Sequence, residues 1–165
     1  MKKYSLRNEL KINKSIASKI AILLIRGERN KYMKYIVKPF RVIILNFMFN
    51  TEIPPSADIG YLLRIPHPYN IIIHNQAKIG IGCTIYHNVT IGANDLSTNY
   101  GAPKIGDYCF IGTGGTVIGK IQIGNNVMIG ANTVITKSVK DNYFLTISKS
   151  ALNNINIEEF IKGLV

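Results

Sequence analysis

From Ile53 to Val139 a branched aliphatic residue returns every six positions. The register runs Ile53, Ile59, Ile65, Ile71, then Ile79, Ile85, Ile91, then Ile105, Ile111, Val117, Ile123, Ile129 and Ile135. Two phase slips, between Ile71 and Ile79 and between Ile91 and Ile105, read as insertions. A smaller residue follows four places later as Ala57, Leu63, Cys83, Val89, Cys109, Gly115, Val127, Thr133 and Val139. A period of six matches neither the 3.6 of a helix nor the alternation of a hairpin, but it suits a triangular coil with one hexad per face. The pattern predicts an all-β solenoid of short parallel strands. In it each aliphatic side chain stacks on its equivalent one coil up and contributes about 1.5–3 kcal/mol on burial.

The segment before the repeat differs in kind. Residues 1–50 carry twelve Lys and Arg against Glu9 and Glu28, a net of +10 out of the chain's +11. Ile16 to Ile25 and Val42 to Phe49 are apolar stretches of helical character, and Pro39 sits where a helix could begin. Three parts follow: a basic helical segment 1–50, a β-helix 51–140 interrupted by a loop at 93–104, and a tail 141–165 expected to be helical. Neither apolar run approaches the ~20 residues of a membrane span. The N-terminus also lacks a cleavable signal pattern, so a cytoplasmic location is expected. The basic amphipathic segment fits peripheral contact with anionic lipid at the inner face of the membrane, or a solvated face packing on the solenoid or a neighbouring subunit. No nucleic-acid motif accompanies the charge, so nucleic acid is not an expected partner.

Chemistry must come from polar groups that the coil does not need for folding. Cys83 and Cys109 occupy the small inward position and read as reduced core residues, not a disulfide, metal pair or nucleophile. His67 and His87 both fall two places after a hexad aliphatic, which places them outward on the same face, one coil apart. His74 sits one place later in its hexad and reads as surface. His67 stands in Arg64-Ile65-Pro66-His67-Pro68-Tyr69-Asn70, where two prolines stiffen the backbone around an imidazole that a general base needs aimed. Fifteen residues earlier lies Glu52, a carboxylate suited to fixing the tautomer of that ring. The loop at 93–104 offers Asn94, Asp95 and Tyr100 as polar and aromatic groups on an extrusion from a rigid scaffold.

The hexads, the Glu52–His67 spacing and the eight-residue step from Ile71 to Ile79 together resemble the hexapeptide-repeat acyltransferases with a left-handed parallel β-helix. Within them the chain is most similar to the serine O-acetyltransferase branch, over roughly Glu52 to Lys137. That resemblance implies a homotrimer with His67 and Glu52 as catalytic pair, and acetyl-CoA as co-substrate without a metal. By position, Thr113 and Ala131 would meet the pantetheine arm, and Thr136 and Lys137 the nucleotide phosphates. The chain departs from the serine branch in several places. Pro66 replaces the acid before the catalytic histidine, Ala102 replaces a second histidine, and the closing Gly-(Asn/Val)-Pro-Ala motif is missing. These departures favour the shorter relatives that acetylate a sugar hydroxyl in capsule, O-antigen or exopolysaccharide synthesis, on a saccharide acceptor that is free or lipid-linked, with His87, Asn94, Asp95 and Tyr100 on the acceptor side. The alternatives are a serine O-acetyltransferase and a non-catalytic β-helix scaffold.

Overall fold

A computed structural model describes residues 5–94 and 100–146. The repeat forms a three-sided prism of parallel sheets. The first face stacks Asp58–Ile59, Lys78–Ile79, Lys104–Ile105 and Gln122–Ile123; the second stacks Thr84–Ile85, Phe110–Ile111, Met128–Ile129 and Phe144–Leu145; the third stacks Ile72–Ile73, Thr90–Gly92, Thr116–Ile118 and Val134–Ile135. All three sheets fit a left-handed β-helix. Every aliphatic residue of the thirteen hexads is buried, from Ile53 through Ile135. Cys83 and Cys109 lie inside the prism as free thiols, each donating to a backbone carbonyl, of Gly106 and Gly124 respectively.

The first phase slip lies elsewhere than the hexad pattern placed it. Ile73, not Ile71, pairs with Ile91, and the bridge from Glu52 to Ile72 carries the same ladder back to Ile53. The two extra residues therefore fall between Ile65 and Ile73, in the corner that contains His67. Ile71-Ile72-Ile73 are three consecutive isoleucines, so hydrophobicity alone offered no contrast between inward and outward positions. The tail also differs from expectation. Phe144–Leu145 is a strand that extends the second face, and the helix expected in 141–165 lies from residue 147 onward outside the described residues.

The corners turn through left-handed backbone. One column of such residues is Asn50, Asn70, Asn88, Gly114 and Asn132, with φ between 49° and 70°. Asparagine tolerates this conformation, and here it also links the coils: Asn50 Nδ2 donates to Asn70 Oδ1 at 2.7 Å and Asn70 Nδ2 to Asn88 Oδ1 at 3.0 Å.

The basic segment closes the end of the prism. It folds as α1 (Leu6–Ile12), α2 (Ile16–Glu28) and α3 (Lys34–Arg41), with Pro39 inside α3, and continues through a π-helical stretch Val42–Met48. A solenoid's first coil presents an unpaired strand edge, whose polar groups are costly to bury alone. Side chains of α1 and α2 take the place of the missing strand. Glu9 accepts from Leu63 N–H at 2.8 Å, while Asn13 accepts from Ile65 N–H at 2.9 Å and donates to Leu63 C=O at 2.8 Å. Arg26 donates to Ile59 and Gly60 carbonyls and pairs with Glu9 at 2.7 Å; Arg29 donates to Ala57 and Ile59 carbonyls. Two of the twelve basic residues are thus consumed by capping.

Candidate active site at the second corner

Parallel register brings four of the residues singled out in the sequence into one column. Arg64 pairs with Thr84, Ile85 with Ile111, and Ile111 with Ile129. Two residues further on, His67, His87, Thr113 and Ala131 therefore stand above one another along the corner between the second and third faces, ~4.8 Å apart per coil. The His67 and His87 rings meet edge to face with centroids 5.6 Å apart. His87 Nδ1 is buried without a hydrogen-bond partner. The ring of His67 is exposed, which is where a base that meets a substrate must be.

The segment around His67 is anchored on both sides. Ser18 of α2 donates to Pro66 C=O at 3.0 Å, and the buried Thr51 hydroxyl donates to Pro68 C=O at 2.9 Å while accepting from Ile71 N–H at 3.2 Å. Tyr69 N–H closes a turn on His67 C=O at 2.9 Å, and the Tyr69 ring packs edge-on against Phe49 at 5.0 Å. These clamps hold the two-residue bulge that turns the imidazole outward. Tyr86 completes the setting, 6.1 Å from His67 and 5.4 Å from Phe110. Neither Tyr86 nor Thr51 stood out in the sequence. Tyr86 holds the position one coil above Pro66, a signal that only the register reveals.

Glu52 is placed differently. Among the described residues no hydrogen bond joins it to His67, and its exposed side chain lines a cavity of about 470 Å³ on the third face with Ser56, Ile72, His74, Asn75 and Gly92. His74 is bound there: its Nδ1 accepts from Gln76 N–H at 3.2 Å, and its Nε2 lies 3.1 Å from Tyr100 Oη. With Nδ1 accepting, the neutral ring carries its proton on Nε2 and donates to the phenol. Tyr100 thus stands beside His74, one corner away from His67. Asn94 is exposed near the same edge, Asp95 lies outside the described residues, and Thr136 and Lys137 are exposed at the far end of the third face. The predicted cofactor residues therefore divide between two edges of one face, Thr113 and Ala131 on one and Thr136 and Lys137 on the other. Among the described residues no group of three or more His, Cys, Asp or Glu is arranged to hold a metal.

The parallel triangular coil, with histidines along one corner, is a hexapeptide-repeat solenoid. Residues 102–137 match the bacterial transferase hexapeptide (six repeats) family. The serine acetyltransferase of Staphylococcus xylosus is 38% identical over 116 residues, 70% of this chain and 54% of that protein. Among solved structures, serine acetyltransferase isoform 3 of Entamoeba histolytica in complex with cysteine superposes with a TM-score of 0.72 at 25% identity, covering 94% of this chain and 62% of the other. The serine acetyltransferase of Brucella abortus in complex with coenzyme A gives a TM-score of 0.68 at 25% identity, covering 84% and 62%. The chain spans about half the length of the curated relatives it matches.

These relatives overturn the expected saccharide acceptor. That expectation weighed Pro66, Ala102 and the missing closing motif above the rest of the repeat. Ala102 is buried beside the core at 8% exposure, so its position faces the interior here, and the similarity to serine acetyltransferases extends over 116 residues.

Proposed function

We propose that this chain is an acetyl-CoA-dependent O-acetyltransferase whose acceptor is serine. The observation that carries the reading is the column His67–His87–Thr113–Ala131 on a prism whose sequence relatives are serine acetyltransferases. His67 takes the proton from the serine hydroxyl as that oxygen attacks the thioester carbonyl. The tetrahedral intermediate then collapses, the C–S bond breaks, and the imidazolium returns its proton to the departing CoA sulfur. No covalent enzyme intermediate is needed. The thin pantetheine arm runs up the corner past Thr113 and Ala131, where small side chains leave the backbone accessible, and Lys137 offers a point charge to a phosphate.

Glu52 supports the imidazolium by its negative charge. Its exposed side chain stays on the third face, lining the cavity there, and acts on the imidazolium through its charge at longer range. His87 braces the ring of His67 and presents its outer nitrogen to the acceptor. Asn94 and Tyr100 lie at the next corner, beside His74, and would approach the acceptor from a neighbouring subunit. A homotrimer, in which the prism faces of neighbours enclose this corner, would complete the site. Pro66 offers no carboxylate to the amino group of serine, so acceptor affinity rests on other groups and a raised KM for serine is expected.

The test is thiol release from acetyl-CoA by the purified chain, with free serine or with mono- and oligosaccharides as acceptors. Serine-dependent release with O-acetylserine as product is the expected result. Release with saccharides alone, or none with serine, would refute the assignment.

A further inference from the structure

α3 and its π-helical continuation form one helix of fifteen residues, Lys34 to Met48, and it is apolar on both sides. Its inner side bears Val37, which packs against Gly27 so closely that a Cβ there would lie 3.0 Å from it, and Leu45, which is fully buried. Its outer side bears Ile36, Phe40, Ile43 and Phe47, with Tyr32 one turn earlier. The spacing of four, four, three and four puts these residues on one face. They are 55–79% exposed. A contiguous exposed apolar stripe of this kind marks an interaction surface.

The charge around the stripe indicates what covers it. From Arg29 to Thr51 the sequence holds five basic residues and no Asp or Glu. Arg29 is spent on capping and Arg41 on an ion pair with Glu28, which leaves Lys31, Lys34 and Lys38 exposed, with Lys34 and Lys38 two positions from Ile36 and Phe40 and so on the other side of the helix from the stripe. The ammonium groups of Lys31 and Lys34 each lie 4.7 Å from the ring centroid of the adjacent tyrosine, Tyr32 and Tyr35. A basic side set against an exposed apolar side is the pattern of a helix that lies in the plane of an anionic membrane surface. No described helix is long and apolar enough to cross a membrane, so this one would lie in the interfacial plane.

We infer that the outer face of the Lys34–Met48 helix docks on the surface of an anionic lipid bilayer, with Ile36, Phe40, Ile43 and Phe47 entering the acyl boundary and Lys31, Lys34 and Lys38 meeting acidic headgroups. This stands apart from the acetyl-transfer reading, because it uses no residue of the histidine corner.

The experiment is co-sedimentation of the full-length chain with vesicles of phosphatidylcholine alone and of phosphatidylcholine mixed with phosphatidylserine. Binding to the mixed vesicles, weakening as salt rises, is the expected result. Phe40→Ser with Phe47→Ser, and separately Lys34→Glu with Lys38→Glu, should each lower the partition coefficient at least about tenfold with unchanged circular dichroism. The lysine pair keeps the question open to test if the phenylalanine pair fails to fold. Absence of binding by the unaltered chain, or binding that both folded variants retain, would overturn the inference. So would equilibrium sedimentation showing that the phenylalanine variant dissociates an oligomer while neither form binds lipid.

Discussion

His67 owes its placement to bonds made by its neighbours. Ser18 and Thr51 fix the carbonyls of Pro66 and Pro68, so the ring is carried on a bulge held from outside and from beneath. In the proposed reaction Glu52 would act on it at longer range, since no hydrogen bond connects the two among the described residues. A charge at that remove across a wet surface is worth about 1–2 kcal/mol. Glu52→Gln should therefore lower kcat roughly tenfold with an unchanged melting temperature, far less than the loss of a directly bonded partner. Steady-state kinetics paired with a thermal melt measures both. A fall of about a thousandfold or more would show that the carboxylate swings in and bonds the ring during turnover. The two cysteines belong to the same scale. The hydrogen bond with Cys109 and burial hold the Cys83 thiol well above its ordinary pKa, and an interior thiol of that kind is inert. The hydrogen bond with Cys83 lowers the Cys109 pKa instead, but Cys109 is buried inside the prism as well; both should resist a thiol reagent in the native chain and react on unfolding.

At the scale of elements, the cap and the coil rest on different information. Asn13 replaces a strand with one side chain, bonding Leu63 C=O and Ile65 N–H while itself buried. Asn13→Ala should cost about 2–6 kcal/mol, because two buried backbone groups lose partners worth ~1–3 kcal/mol each; chemical denaturation measures this directly. The hexads were legible because a period of six recurs thirteen times and every aliphatic member is buried. His67 and His87 were legible as corner neighbours for the same reason, since the period alone aligns them. The cap was not legible, because Glu9 and Asn13 meet Leu63 and Ile65 across more than fifty residues without any periodic mark. The slip at Ile71-Ile72-Ile73 was misplaced because three like residues carry no contrast. Phe144–Leu145 was missed because its strand follows a shortened turn after Ile135, outside the hexad register. The acceptor was misread from Pro66 and Ala102, where single side chains stood in for a similarity spread along the whole repeat.

As a whole, the molecule is a prism with one end closed by helices and the proposed site on a corner. The closing helices are structural. A chain starting at Thr51 exposes the first-coil groups that Glu9, Asn13, Arg26 and Arg29 satisfy, along with the core surface covered by Ala21, Ile22, Ile25 and Leu45. That shortened chain should be insoluble or melt far below the full-length protein, as a thermal scan would show. Survival with an unchanged melt would mean that the prism closes its own end.

The central claim is that His67 is the base of an acetyl transfer at this corner, and the kcat of His67→Ala with serine and acetyl-CoA tests it most directly. The exposed ring contributes little to packing, so the variant should fold and bind coenzyme A as the unaltered chain does. Its kcat should fall by about 10²- to 10⁴-fold. A folded His67→Ala that keeps more than about a tenth of kcat, too small a loss for an essential base, would contradict the account and move the chemistry to His87, 5.6 Å away on the same corner.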